Sequence, residues 1–157
     1  MRKSNLECSV SAVVLLLAVL STNSVFAHCE VPCGIYDDEM RFDIIAEHVT
    51  TVEKSMNMIT KLAEEQDKNY NQLIRWVTNK EHHASEIQDI VYQYFMTQRV
   101  KPVDKENVDA YTKYIRQLTL LHEMLVYAMK AKQTTDLTHV EKLKSLLEEF
   151  RQVYLGD

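Results

Sequence analysis

The chain has 157 residues, 46% of them hydrophobic and 26% charged, with only 2 Gly and 2 Pro. One globular domain fits that length and composition, and four such residues are too few for the turn every ~8–12 residues of a β-sandwich or barrel. The net charge of −5 offers no basic excess to neutralise a phosphate backbone, which excludes nucleic acid as a partner.

In chain order, residues 1–27 read as a targeting segment. Arg2 and Lys3 form a basic start, Ala12 to Leu20 is unbroken apolar, and Val25-Phe26-Ala27 puts small residues three and one before His28. That is the order of a secretory signal peptide cleaved after Ala27. The apolar run falls short of the ~20 residues of a membrane span, so no stable anchor is expected after processing. An exported, periplasmic or extracellular chain follows. Losing Arg2, Lys3 and Glu7 leaves 16 basic and 22 acidic residues, net −6, on 130 residues. Cys8 leaves too, and His28 becomes the N-terminus.

Residues 28–36 read His28-Cys29-Glu30-Val31-Pro32-Cys33-Gly34-Ile35-Tyr36. They hold half of all the Gly and Pro and both remaining cysteines. The chain concentrates its special backbone chemistry here, as a hook ahead of a domain spanning residues 37–157.

That domain reads as four helices. Asp37 and Asp38 are N-cap candidates for the first, whose apolar stripe is Phe42, Ile45, Val49, Val52, Met56, Ile59 and Ala63. The second carries Leu73, Val77, Ala84, Ile87, Val91 and Tyr94, skips a core turn at Lys80 and Glu81, and stops before Pro102. A third starts near Asn107 with Val108, Tyr111, Ile115, Leu118, Leu121 or His122, Leu125 and Ala128. Thr138-His139-Val140-Glu141 has the capping-box form and opens the fourth, with Val140, Leu143, Leu147, Phe150 and Tyr154. Four helices, short connections and one apolar face each predict an all-α, antiparallel four-helix bundle with an irregular N-terminal metal-binding hook. Met56, Met58, Met124 and Met129 are expected as core filler.

The hook carries chemistry. A freed His28 offers an α-amine and an imidazole. Cys29 offers a thiolate and its own amide nitrogen, and Cys33 a second thiolate. Amine, amide and Cys29 sulfur form two fused chelate rings, and the step to Cys33, turned by Pro32 and Gly34, can complete a plane. Planar N,S coordination points to nickel(II), whereas tetrahedral zinc would want more thiolates or imidazoles. The His28 imidazole is left for an axial position. Thiolate and deprotonated amide are strong donors that stabilise nickel(III), so such a site suits one-electron redox cycling.

The run H-C-x-x-P-C-G-x-Y at a processed N-terminus, ahead of a four-helix bundle, resembles the nickel superoxide dismutase family. Arg75-Trp76-Val77-Thr78, Lys80-Glu81 and Tyr94-Phe95 also sit where similar stretches occur. The resemblance implies an enzyme that disproportionates superoxide, with one nickel ion per chain on His28, Cys29 and Cys33. It makes Tyr36 the tyrosine beside the open axial face, Val31–Pro32 a candidate cis bond, and the assembly a homohexamer. Family representatives hold the axial imidazole through a carboxylate on the first helix and a nearby arginine. Those positions fall here at Ile44 or Ile45, with Asp43 and Glu47 adjacent, and near His82 or His83. The alternative is a non-enzymatic exported bundle, a sensor or binding module, closed by a Cys29–Cys33 disulfide. With the chain net negative, attraction of an anionic substrate falls to local bases, with Lys80 and Arg75 as candidates.

Overall fold

The computed structural model describes residues 37–156. The expected signal peptide (1–27) and hook (28–36) lie outside the described residues. Helix α1 spans Asp38–Glu64, α2 Tyr70–Asp89, α3 Val108–Gln133 and α4 Thr138–Leu155, and α2 runs straight on into a π-helical segment, Ile90–Arg99. No strand occurs among the described residues. Each helix packs on its sequence neighbour and α4 returns to α1, closing the expected four-helix bundle.

Local chemistry explains most helix ends. Asn69 and Asn107 cap α2 and α3, their side-chain oxygens accepting from Gln72 N at 3.1 Å and Ala110 N at 3.3 Å. The expected capping box at Thr138 does not form. Thr138 is already helical, the N-cap position falls to Leu137, which has no side-chain acceptor, and the Asp136 carboxylate, two residues upstream, accepts from Thr138 N at 3.0 Å. An aspartate side chain readily bonds the backbone amide two residues on, so it takes that donor first.

Phe42, Ile45, Val49, Val52 and Met56 are buried as the stripe of α1 predicts, as are Val140, Leu143, Leu147 and Phe150 on α4. Phe42, Phe95, Phe150 and Tyr154 stack at the end of the bundle where α1 begins, with ring centroids 5.0–5.9 Å apart. Elsewhere the stripes need correction. Leu62 is buried in place of Ala63, and on α3 the buried set is Gln117, Leu120, Leu121, Met124, Ala128 and Ala131, while Val108 and Ile115 are exposed. The first turns of α3 have no helix over that face. Val77 on α2 and Met129 on α3 are likewise exposed.

The skipped turn at Lys80 has a physical role. Lys80 is only 4% exposed, and its ammonium donates to the Lys132 and Thr134 carbonyls, the latter at 2.9 Å. Those carbonyls lie at the C-terminus of α3, where a helix leaves acceptors without partners and its dipole favours a cation.

Candidate functional site

The expected ligands His28, Cys29 and Cys33, the expected Tyr36 and the Val31–Pro32 bond lie outside the described residues. What the structure describes is the platform from which that segment departs. Its first residue, Asp37, has φ 73° and ψ 150° and is the non-glycine residue with positive φ among the described residues.

Asp38 follows, and its carboxylate is a hub. Oδ1 accepts from the Tyr94 hydroxyl at 2.5 Å and from Arg99 through Nε at 2.8 Å and Nη2 at 2.6 Å. Oδ2 accepts from the Tyr154 hydroxyl at 2.7 Å. Three elements therefore meet on one side chain: the start of α1, the π segment and the end of α4. Burial by itself would raise the Asp38 pKa, but the bonds from Tyr94, Tyr154 and Arg99 outweigh it and hold the carboxyl below its ordinary value of 3.8. Burial, then the bond to Asp38, pushes the Tyr94 hydroxyl up, and the same two causes push Tyr154 further. Both phenols stay protonated and donate. The guanidinium carbons of Arg41 and Arg99 each lie 5.0 Å from the centroid of the Tyr94 ring.

The π winding makes this convergence possible. Tyr94 and Arg99 are five residues apart, which on an α-helix would turn them about 140° away from each other. Bonded i→i+5, the segment brings them to one side. Val100 N donates to Phe95 O at 2.8 Å, and the Thr97 and Gln98 side chains donate to carbonyls five residues back, at 2.7 and 3.0 Å.

The positions where the resemblance places a carboxylate and an arginine hold something else. Ile45 is buried in the core, Ile44 packs against it, and Asp43 is exposed, facing Arg151 at 3.5 Å. A histidine pair links α1 and α2 nearby, with His48 Nδ1 2.8 Å from His83 Nδ1, and Asn79 donates to the Ser55 hydroxyl at 3.0 Å. His82 pairs with Glu86 at 3.7 Å. Burial first, then the neighbouring His83, lowers the His48 pKa against the pull of Glu86 and Glu47. At 2.8 Å one Nδ1 of the pair donates and the other accepts. Among the described residues no three His, Cys, Asp or Glu side chains converge to hold a metal ion.

Of the bases expected to attract an anion, Lys80 is buried against carbonyls, whereas Arg75 is exposed. A groove of about 300 Å³ between α1 and α4 has Phe42, Val49 and Leu147 in its walls and Lys144 and Arg151 among its lining residues. Lys144 pairs with Glu53 at 2.7 Å and Arg151 with Asp43, so neither presents an uncompensated charge.

From sequence, Asp38 is a helix-cap candidate, Tyr154 belongs to an apolar stripe, and Tyr94 belongs both to a stripe and to a stretch similar to the family's; none is marked as a hub. The signal was available: two tyrosines at core positions must each find a partner for the hydroxyl. A family model described as nickel-containing superoxide dismutase matches residues 23–157. No curated protein and no solved structure matches the chain.

Proposed function

This chain belongs to the nickel-containing superoxide dismutase family and is an oxidoreductase, and on that premise we propose that His28, Cys29 and Cys33 hold one nickel ion per chain. The donor set fits that metal: two thiolates, an amide nitrogen and an amine are soft, strongly donating ligands suited to a planar d⁸ ion. When bound, nickel supplies a one-electron couple between the +2 and +3 states, so that one superoxide is oxidised to oxygen and a second, taking two protons, is reduced to hydrogen peroxide.

The chain's own residues have separate tasks. The two cysteine sulfurs, as thiolates, and the α-amine and imidazole of His28 would hold the metal. Tyr36 would limit access to it and order water or substrate beside it through its hydroxyl. Cleavage after Ala27 is part of the chemistry, because it turns the His28 nitrogen from an amide, a poor donor, into an amine. Export to the periplasm or the exterior accompanies that cleavage. The tripartite pattern of residues 1–27 supports it. Assembly as a homohexamer rests on the resemblance, supported by an apolar row on α2, Tyr70, Ile74 and Val77, that is exposed on the single chain.

The observation that carries this reading is the register of H-C-x-x-P-C-G-x-Y directly behind a cleavage site, inside a family match that runs to the last residue. Metal analysis of the processed protein tests it, together with the decay rate of superoxide. About one nickel per chain and fast decay are expected. No nickel and a Cys29–Cys33 disulfide would instead leave a non-enzymatic exported bundle.

A further inference from the structure

We propose that Asp38 is a positioning residue for the metal-binding segment, fixing with Tyr94, Arg99 and Tyr154 the direction in which the chain leaves α1 toward Cys33; this rests on the ligand assignment proposed above. Three independent observations lead there.

The first is the backbone of Asp37. Its φ of 73° with ψ of 150° falls in a region essentially reserved for glycine. A side chain held there is strained, and such strain persists only where the surroundings over-determine the conformation. Asp37 is also the N-cap of α1, its carboxylate accepting from Asp38 N at 2.7 Å, and an N-cap residue ordinarily sits in the β region without such strain. The second is the saturation of the neighbouring carboxylate. Asp38 takes two phenol hydroxyls and two guanidinium nitrogens from elements far apart in sequence. Its side chain can turn only if all of them let go. The third is the π segment, a costly winding that is frequent at functional sites. Here it delivers Tyr94 and Arg99 to the same oxygen, Asp38 Oδ1.

The lever is short. Tyr36 is two residues from Asp38 and Cys33 five, so their Cα atoms lie within about 7 and 18 Å of it even in a fully extended chain. A change of direction at Asp37 therefore reaches the thiolate with little chain to absorb it. A strained residue clamped by a saturated one fixes the backbone at the start of α1, from which the chain continues to Cys33.

Asp37→Gly separates this from a purely structural role, because glycine adopts the observed dihedrals without strain and keeps the bonds of Tyr94, Arg99 and Tyr154 to the Asp38 carboxylate. It loses only the cap bond from Asp38 N to Asp37 Oδ1, a small loss when glycine takes the N-cap position. The processed Asp37→Gly protein is expected to keep its melting temperature. It should release nickel to a chelator roughly tenfold faster or more, the scale on which supporting residues act on metal affinity. The electron paramagnetic resonance of its oxidised nickel should broaden. Asp38→Asn should show the same nickel effects together with a lower melting temperature. Arg116→Ala, which breaks the exposed Arg116–Glu149 pair between α3 and α4, should move neither nickel readout. A second measurement needs no metal: a dye on Cys33 in the Cys29→Ser protein should lose fluorescence anisotropy when Asp37→Gly is added. Should the parent protein take up no nickel, the ligand assignment fails and the anisotropy alone decides the positioning role. Unchanged anisotropy in the Asp37→Gly protein overturns the proposal, as does unchanged nickel release with an unchanged spectrum.

Discussion

Replacing Lys80 with methionine should destabilise the fold by about 2 kcal/mol and leave the salt dependence of superoxide dismutation untouched. Methionine keeps the length of the apolar stem, so the variant isolates the ammonium. That group donates to the carbonyls of Lys132 and Thr134, and a hydrogen bond to a charged group contributes roughly 1.5–3 kcal/mol. Against two such bonds stands the desolvation that pulls the Lys80 pKa below its ordinary value, opposed only by Glu81 at 3.8 Å. Thr134 is exposed, so water reaches its carbonyl once the ammonium is gone. The net is close to the value of a single charged bond. For a domain of this size it lowers the melting temperature by about 6–10 °C. Thermal unfolding followed by far-ultraviolet circular dichroism measures the first effect, and superoxide decay against ionic strength the second. A melting temperature within about 2 °C of the parent would refute the capping role. A flattened salt dependence would show instead that Lys80 acts on the substrate from a distance.

Cys29→Ser and Cys33→Ser should each abolish nickel binding and superoxide decay while the helical signal persists; either variant active with nickel bound ends the ligand assignment. Protein that retains Ala27, or carries Met ahead of His28, should fold with normal helicity and lack redox-active nickel, and trimming to His28 should restore both. Stability measured by urea unfolding should fall in acid as pH drops through the depressed Asp38 value, because the unfolded carboxyl takes up its proton first. Asp38→Asn should flatten that limb. The lowered His48 pKa works the same way at higher pH: stability should decline as pH falls from the ordinary histidine value of 6.5 toward the lowered one. His48→Gln should remove that slope.

Phe42 through Met56 and Val140 through Phe150 show why the bundle was legible. A helix covered along its length repeats its buried face every 3.6 residues, and the stripe then names the core. The pattern misleads where cover ends. Val108 and Ile115 keep the period but meet no neighbour, so the stripe of α3 drifts onto Gln117 and Leu120. It also misleads where the winding changes. Tyr94 and Arg99, five residues apart, reach the same Asp38 oxygen, which a 3.6-residue count does not allow for. The proposed metal ligands stand out for the opposite reason, since cysteines, proline and glycine in fixed register need no periodicity. The Asp38 hub was hidden because its partners lie 56, 61 and 116 residues away. The His48–His83 link between α1 and α2 was hidden in the same way.

The bond from Tyr154 to Asp38 also sets an order of events as the chain is made. It closes a loop of 116 residues, so it forms late, after contacts between neighbouring helices have shortened the distance to be searched. A ribosome delivers Asp38 long before Tyr154. Until the last turns of α4 emerge and dock, one donor of the hub is missing and the start of α1 is held only by the π segment. The metal segment, synthesised first, is in this sense finished last. Chains that stall before α4, or that lose its final turn to proteolysis, would then carry both cysteines on an incompletely fixed base.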